Sequence, residues 1–382
     1  MSTQVQHFPC GGCGARLEFA PGKDALECGY CGHVNPIPQS EEDIEELDFD
    51  KYIAQHAEAQ DTVEIHTLHC DSCGANSTAP KNKGLSHCPW CGAAMSTQVQ
   101  TQRQIRPQAL LPFKLTRDEA MVAFKQWLAS LSFAPNSLKE RAKTGGALQG
   151  VYTPYWTFDC NAKTFYRGER GDEYTVTRTR TTFDNEGNEV EEEYEEIEVD
   201  WTRVSGTVWD AFDDVLVVAN DSIPNDQVRE LEPWDLEALR PAKEEYMSGF
   251  VVEAYETDLA GGFDKGKSIM EETIRQTIKS DIGGDRQRIS SLSTQHDNVS
   301  FKHILLPIWI CSYTHNEKTY QFIVNARTGE VQGERPWSVW KIVGLVAWIM
   351  FSLFMLIPPF TPLGMLMILG SIGYGIYLMF KD

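Results

Sequence analysis

The sequence predicts an α+β protein with two N-terminal zinc ribbons of four cysteines each, a central body rich in antiparallel hairpins, and a C-terminal transmembrane helical hairpin. Three observations lead to this prediction: most of the cysteines fall in CxxC pairs, the central residues alternate strand and helix patterns, and two apolar runs end the chain. At 382 residues the chain is long enough for two or three units.

Eight of the ten cysteines form two modules with the same spacing, and the second module follows sixty residues after the first. In both, fourteen residues separate the inner cysteines, and each CxxC pair is followed by glycine. Two such pairs complete a tetrahedral shell of four thiolates, so we expect two structural Zn²⁺ ions with no open coordination position for catalysis. Iron in a site of four sulfurs and redox-active dithiols are the alternatives. The predicted ligands are Cys10, Cys13, Cys28, Cys31, Cys70, Cys73, Cys88 and Cys91.

Charge argues against a nucleic-acid partner. The chain has 34 Lys plus Arg against 55 Asp plus Glu, a net charge of -21, and its acidic runs at 41–50 and 186–200 have no basic counterpart. An average surface of this sign repels phosphate backbones. The first acidic run predicts a helix from about Ser40 to Ala59, between the two modules.

In the central body, the sequence predicts a strand followed by a helix, and this pair of elements occurs twice. The stretch "ALLPF" predicts a strand, and Thr116 with Glu119 forms a capping box that begins a helix. Later, "GFVVEAYETDL" predicts a strand and "DKGKSIMEETIRQTIKSDI" a helix. Each helix is followed by a β-rich stretch with a P-x-W motif, at 154–156 and at 307–309, which favours a duplicated unit.

A long hairpin is predicted between the two copies. Residues 174–183 alternate in the manner of a strand, "DNEGNE" supplies a turn, and "VEEEYEEIEV" returns. Arg178 and Arg180 are placed to pair with glutamates on the returning strand. The stretch "NARTGEV" predicts a second hairpin turn.

The stretch "GGFDKGKS" matches the phosphate-binding pattern G-x-x-x-x-G-K-[ST] at Gly261, Gly266, Lys267 and Ser268. A nucleotide site also requires a strand that ends in a carboxylate after the loop, and the following long apolar strand has none. We therefore interpret the match as chance, with Lys267 an ordinary first-turn helix residue near Glu271 and Glu272.

No catalytic residue is predicted. The carboxylates of Asp281 and Asp285 fit a capping role in a glycine turn better than an acid/base pair. Cys160 and Cys311 lie among aromatic residues and fit small buried side chains. The sequence thus gives no support for an enzyme.

Two apolar segments of 18 residues, at 340–357 and 363–380, end the chain. At about 1.5 Å per residue each spans roughly 27 Å, close to the thickness of a bilayer's hydrocarbon core. Pro358 and Pro359 separate them, and basic residues flank only their outer ends, so we expect both termini on the cytoplasmic side. A buried apolar hairpin or a re-entrant loop is the alternative.

The order of these parts resembles a bacterial family of zinc-ribbon membrane proteins whose members carry labels such as primosomal protein N-prime (replication factor Y) or superfamily II helicase. The resemblance rests on the two CxxCG modules, the terminal apolar hairpin, and "LLPF", "PYWTFD", "LEPWDL", "DIGGD" and "VNARTGEV" in the body. Related ribbon proteins resemble partners of flotillin-like (SPFH) and phage-shock membrane-stress proteins. The resemblance implies an anchoring or recruiting role.

Together these features predict a membrane-anchored cytoplasmic adaptor at the bacterial inner membrane that binds protein partners and is compatible with homo-oligomerisation. A helicase-like NTPase and a nucleic-acid-binding ribbon protein are the alternatives. The predicted units are a first zinc ribbon at 1–36, an acidic helical linker at 37–66, a second ribbon with its linker at 67–106, the body at 107–335 and the membrane hairpin at 336–382.

Overall fold

The computed structural model describes residues 8–38, 44–54, 62–78, 87–95, 99–131, 148–183, 187–220, 230–315, 318–333 and 339–354. Its strands are β1 Glu18–Phe19, β2 Ala25–Glu27, β3 Val34–Pro36, β4 Leu47–Asp48, β5 Thr62–His69, β6 Asn76–Thr78, β7 Val99–Ile105, β8 Ala109–Leu110, β9 Gln149–Phe183, β10 Glu189–Val218, β11 Arg240–Pro241, β12 Val251–Val252, β13 Arg286–His315, β14 Lys318–Asn325 and β15 Val331–Gly333. Its α-helices are α1 Phe49–Ala54, α2 Arg117–Ser130, α3 Glu244–Met247, α4 Leu259–Ile282 and α5 Val339–Phe354, with one 3₁₀ turn at Leu236–Ala238.

The described residues form a mixed α+β structure dominated by sheet. Two three-stranded sheets, β1-β2-β3 and β6-β5-β7, belong to the cysteine modules, and a nine-stranded sheet runs through the body in the order β10-β9-β13-β14-β15 with β4, β8, β11 and β12 attached. We call residues 8–38 the first module and residues 62–105, where described, the second module. Strand β5 begins at Thr62, within the predicted acidic linker.

The predicted hairpin is confirmed and is much longer than expected, because β9 and β10 pair from Phe183 and Glu189 down to Tyr155 and Val218. Arg178 pairs with Glu196 at 2.6 Å, and Arg180 pairs with Glu192 at 2.8 Å. Strand β13 begins at Arg286, which pairs with Gly171 of β9. Past this point, residues 172–183 and 189–200 pair only with each other among the described residues and form a two-stranded arm.

The first unit consists of β8, α2 and β9, and the second of β12, α4 and β13. The short first strand of each unit pairs with the long strand of the other. Strand β8 lies parallel to β13 at Ile304 and Leu305, whereas β12 lies parallel to β9 at Val151 and Tyr152. The two P-x-W tryptophans make equivalent hydrogen bonds. The indole N–H of Trp156 donates to the carbonyl of Thr257, and that of Trp309 donates to the carbonyl of Leu115, each at 3.0 Å. Thr257 and Leu115 each precede the N-cap residue of the following helix.

Helix α2 begins as predicted, because both halves of the Thr116–Glu119 capping box are present. Helix α4 begins at Leu259, earlier than predicted, with Asp258 as its N-cap accepting a hydrogen bond from the amide of Gly261 at 2.8 Å. Gly261 and Gly262, at the start of the phosphate-binding pattern, are therefore helical. A Cβ at Gly262 would lie 2.6 Å from Trp156, so this glycine allows the helix to approach the sheet closely.

The predicted acidic helix from Ser40 to Ala59 is largely wrong where it is described. Leu47–Asp48 forms strand β4 on β13, and only Phe49–Ala54 is helical. The reason is burial. Phe49 packs against Phe263 with ring centroids 4.7 Å apart, and Glu46 forms a 2.9 Å ion pair with the buried Lys302, so tertiary contacts override the charge pattern.

Helix α5 covers most of the first predicted membrane segment and has no acidic residue in its first turn. Large apolar side chains are exposed along it, namely Ile342, Val343, Leu345, Val346, Trp348, Ile349, Met350 and Phe351. Within the described residues, no helix combines the length and apolar character needed to cross a membrane. The second predicted segment, 363–380, lies outside the described residues.

Candidate functional site: two cysteine clusters and an adjoining cavity

Each module gathers its four cysteine sulfurs into one cluster. In the first, Sγ of Cys10 lies 3.5 Å from that of Cys31, and the Cys13 and Cys28 sulfurs are 3.6 Å apart. The second cluster repeats these spacings, with 3.5 Å between Cys70 and Cys91 and 3.6 Å between Cys73 and Cys88. All four sulfurs of each cluster lie within 4.8 Å of one another. A tetrahedral ion with metal–sulfur bonds of about 2.3 Å needs sulfurs roughly 3.8 Å apart, which fits.

The backbone turns that carry the cysteines have one geometry in all four pairs. The amide of the glycine after each pair donates to the carbonyl of the pair's first cysteine, as from Gly14 to Cys10 at 2.8 Å and from Gly92 to Cys88 at 2.9 Å. These glycines have φ between +71° and +83°. A Cβ on Gly14, Gly32 or Gly74 would meet no atom of the described residues within 4 Å. Glycine is therefore required for the left-handed backbone conformation and not for space.

Within each cluster, hydrogen bonds between neighbouring groups lower the pKa of some thiols and raise that of others, as the hydrogen bond with Cys73 does at Cys88. Amide groups of Cys31 and Tyr30 lower the pKa of the Cys28 thiol to about 6, and a hydrogen bond with Cys88 lowers the pKa of Cys73 to about 5. The thiolate is the form that binds metal. Each group of four cysteines could therefore hold a metal ion, at the residues that the sequence predicts.

The first module packs against the body through β1. The ring of Phe19 meets that of Tyr246 edge-on, with centroids 5.3 Å apart. The Phe19 amide donates to the carbonyl of Ser248 at 2.9 Å, and the Ser248 hydroxyl donates to the carbonyl of Leu17 at 2.9 Å. The first cysteine cluster is thus held on the segment that precedes β12.

The second module is joined to the body through Trp90, which lies inside a cysteine turn and is fully buried. Its indole N–H donates to the carboxyl group of Glu253, and the Asn220 amide donates to the other oxygen of that group. Gln321 on β14 donates to the Trp90 carbonyl at 2.9 Å. The sequence analysis does not predict this contact, although a tryptophan between two cysteines of one CxxC pair is a visible signal.

Burial raises the pKa of Glu253 well above its usual range, which favours the protonated carboxyl group. Asn220 Oδ1 is buried without a hydrogen-bond partner among the described residues. Because the O and N atoms of an amide are assigned from its hydrogen bonds, a flipped Asn220 would accept the carboxyl proton.

A cavity of about 230 Å³ lies where the two modules meet the body. Phe8 and Arg16 come from the first module, and Val63, Ile65 and residues of β7 come from the second. The body contributes further lining residues, among them Phe250, Val252, Glu253, His303 and Leu305.

The buried polar side chain His303 lines this cavity. Its Nδ1 lies 2.9 Å from the carbonyl of Ile105, so this nitrogen carries the proton and donates. Burial lowers the pKa of His303 to about 4, which keeps the ring neutral. Nε2 is buried and has no hydrogen-bond partner in the described part of the chain.

The segment that matches a phosphate-binding loop does not form a loop. Gly261, Gly266, Lys267 and Ser268 all lie inside helix α4. Lys267 pairs with Asp264 at 2.5 Å, whereas the predicted partner Glu271 pairs with Arg275 at 2.6 Å. The Ser268 hydroxyl donates to the Asp264 carbonyl at 3.3 Å. The side chains of Lys267 and Ser268 therefore make contacts within helix α4.

The remaining candidate residues have separate structural contacts. Asp281 accepts a 2.6 Å hydrogen bond from the Tyr166 hydroxyl, whereas Asp285 accepts one of 2.8 Å from the Glu173 amide. Cys160 and Cys311 are buried, and burial raises the pKa of each thiol to about 11. None of these contacts joins a nucleophile to a base.

Comparison with known proteins finds a relative of similar length. The chain is similar to the uncharacterized protein YdjG of Bacillus subtilis (strain 168), with 24% identity over 346 residues that cover 88% of this chain and 91% of that protein. No family model matches the chain, and no solved structure gives a significant match. The similarity to the relative therefore extends over nearly the whole length of the chain.

Proposed function

We propose that the chain is a membrane-anchored cytoplasmic adaptor in which two zinc ions hold the cysteine modules and a C-terminal hairpin fixes the chain to the inner membrane. The exposed apolar surface of helix α5 is the observation that carries this proposal. The zinc ions are structural, and the surface that surrounds the modules binds a protein partner.

Structural zinc is supported by the donor set. Four thiolates in a closed cluster leave no open position, and this combination suits Zn²⁺ better than the harder divalent ions. Because both modules pack on the body, metal binding would also fix the surface that the modules and the body form together.

Membrane anchoring is supported by the distribution of side chains on α5. Residues 342–351 include eight exposed large apolar side chains. At 100° per residue these positions fall on all sides of the helix, which is the pattern of a helix surrounded by lipid and not of one with a single buried face. The apolar run continues to residue 357 in the sequence, and a second run follows.

For the partner, we propose a membrane-organising protein of the flotillin-like (SPFH) or phage-shock type. The support is the sequence resemblance described above together with the acidic net charge of -21, which disfavours nucleic acid. No observation on the described residues favours an NTPase as a second candidate.

A comparative purification tests the adaptor role. The full chain and a Cys70→Ser/Cys88→Ser variant are purified from the native host in a mild detergent with zinc present, and co-purifying proteins are identified by mass spectrometry. We expect a flotillin-like or phage-shock protein with the wild-type chain and several-fold less of it with the variant. Equal recovery with both chains, or no such protein with either, would contradict the proposal.

A further inference from the structure

The hairpin of β9 and β10 has an open side where it joins the body. Along residues 161–167 the odd-numbered side chains are exposed and the even-numbered ones are buried. The even-numbered side faces helix α4, where the Tyr166 hydroxyl donates to Asp281 at 2.6 Å. On the odd-numbered side, Phe165 is 46% exposed and Trp209 is 69% exposed. This side of the sheet therefore presents aromatic rings to solvent.

Three cations on the same side have no ion pair among the described residues. Lys163 and Arg167 lie on β9 and Arg203 lies on β10, and all three are exposed. The two arginines of β13 on this side are already paired with glutamates of β9. The sequence contains no basic run here, because strand pairing brings these cations together. The basic face consists of Lys163, Arg167, Arg203, Phe165 and Trp209.

Along the arm, the same side of the hairpin becomes acidic. The pairing of β9 with β10 has no register shift from the arm to Phe212, so the odd-numbered residues stay on one side. Four exposed glutamates of β10 lie on this side, and none forms an ion pair with any described residue. On the opposite side, Arg178 and Arg180 pair with the glutamates of β10. The acidic face consists of Glu189, Glu191, Glu193 and Glu195.

The acidic face and the basic face have opposite charge and equal length. Glu189 and Glu195 are six residues apart on β10, as are Arg203 and Trp209, and Trp209 lies opposite Lys163 of β9. At about 3.3 Å per residue, each face extends over roughly 20 Å. The arm of one copy of the chain therefore has the length needed to cover the basic face of a second copy.

A two-fold axis brings the faces of two copies together twice. Val199 is midway between the two faces along β10, and an axis at this position places Glu195 of each copy opposite Arg203 of the other. The remaining opposed rows are those of Glu193 with Arg167 and of Glu189 with Lys163. Both copies twist in the same right-handed sense, so the two faces turn together along the contact. Such a contact is self-complementary and closes as a dimer.

Exposed apolar side chains on the arm add to this contact. On the odd-numbered side, Phe183 is 67% exposed and Ile197 is 61% exposed. In the dimer, the row of Phe183 falls opposite the row of Trp209. The rows from 189 to 209 cover a strip about 10 Å wide and roughly 66 Å long, or about 650 Å² per copy, close to the roughly 800 Å² of a specific interface.

The arm disfavours an anionic polymer or an anionic lipid surface as the occupant. Either ligand, bound on the basic face, would also approach the acidic face, because the two faces share one side of the hairpin. The four unpaired glutamates would repel it. A second copy of the chain, in contrast, brings the opposite charge to both faces.

We propose that the chain forms a two-fold dimer in which the acidic face of each copy lies on the basic face of the other. This dimer goes beyond the adaptor role proposed above and does not depend on it.

Sedimentation of the zinc-loaded full chain in a mild detergent, over a series of protein concentrations, tests the dimer. We expect a reversible equilibrium between monomer and dimer. The dissociation constant should rise at least about tenfold between about 0.05 M and about 0.5 M sodium chloride, because salt screens exposed charge pairs.

Two charge-reversed variants locate the contact. The first is Lys163→Glu/Arg167→Glu/Arg203→Glu, and the second is Glu189→Lys/Glu193→Lys/Glu195→Lys. Each alone should dimerise at least about a hundredfold more weakly, because like charges then oppose each other. An equimolar mixture of the two should form a mixed dimer nearly as tight as the wild type, since each arm again meets a face of opposite charge. Recovery in the mixture also shows that both variants fold.

The matched control is Glu45→Lys/Glu230→Lys/Glu237→Lys, which makes the same change in charge at exposed positions outside the hairpin. It should dimerise as the wild type does.

A wild type that remains monomeric at all concentrations would overturn the proposal. So would undiminished dimerisation of either charge-reversed variant, or an equimolar mixture that remains monomeric. The anisotropy of labelled single-stranded RNA and labelled short-chain phosphatidylserine tests the other occupants. A monomeric wild type that binds one of them through Lys163, Arg167 and Arg203 would assign the basic face to that ligand and overturn the proposal.

Discussion

The indole N–H of Trp90 donates a hydrogen bond to the carboxyl group of Glu253, and both side chains are buried. Trp90 lies between two cysteines of the second cluster, Cys88 and Cys91, whereas Glu253 follows strand β12 of the body. Separation of the second module would leave the Glu253 carboxyl group without this donor. The contact therefore connects the second cysteine cluster to the central sheet.

Glu253→Gln should stabilise the chain increasingly as pH rises. The folded pKa of Glu253 is raised above the unfolded value of about 4.3, so the contribution of this group is fully present below that pH and is lost as pH rises toward the folded pKa. The cost grows by about 1.4 kcal/mol per pH unit in that window. Glutamine stays neutral and does not titrate.

The measurement is the difference in urea unfolding free energy between the variant and the wild type at pH 5, 6, 7 and 8, with zinc in excess. The variant should gain relative stability over the steps that lie below the folded pKa of Glu253. Glu237→Gln, at an exposed position, is the control and should show no trend. Parallel profiles for Glu253→Gln and the wild type would show that this carboxyl group is ionised in the folded chain.

Cys70→Ser should lower the zinc content from two ions to one per chain, because three thiolates no longer close the second cluster. Elemental analysis of the dialysed protein measures this directly. Cys160→Ala is the matched control, since the Cys160 sulfur packs against the Met270 sulfur at 3.5 Å and belongs to neither cluster. Loss of zinc in the control, or two ions in Cys70→Ser, would refute the assignment.

Gly262→Ala should destabilise the chain by about 2 kcal/mol, since the added methyl group would overlap Trp156 and push helix α4 from the sheet. Lys267→Ala, further along the helix, loses an exposed pair with Asp264 and a cation–π contact with Phe263, and should cost less than about 1 kcal/mol. Chemical denaturation compares the two. Equal effects would show that the helix does not approach the sheet as closely as described.

Trp156→Phe and Trp309→Phe should each cost about 1 kcal/mol from the lost indole hydrogen bond. The two costs should be similar because each indole donates to the residue before a helix N-cap. Urea midpoints of the two variants provide the comparison. If only one of the two substitutions lowered the free energy of unfolding, the two indole hydrogen bonds would not contribute equally to stability.

Local sequence patterns predict the local features well. The CxxC spacing identifies all eight cysteines of the two clusters, and the capping box at Thr116 places the start of α2. Alternation along the chain predicts the arm in which Arg178 pairs with Glu196. In each case the interacting residues lie within one short motif or one hairpin, so spacing alone determines which residues meet.

Long-range packing explains what the sequence does not reveal. Trp90 and Glu253 are 163 residues apart, and only the folded body brings them together. Leu47–Asp48 forms a strand because β13 offers an edge, although its surroundings are acidic enough to suggest a helix. The close approach of α4 to the sheet depends on how Gly262 meets Trp156, and the cavity at His303 depends on three separate parts of the chain.

The central claim is that residues after 335 anchor the two modules and the body to a membrane, and cell fractionation tests it most directly. The full chain and a chain ending at residue 335 are expressed in a bacterium, and membranes are washed with carbonate. We predict that the full chain stays in the membrane pellet until detergent is added, while the shortened chain appears in the supernatant. Recovery of the full chain in the carbonate supernatant would contradict the account.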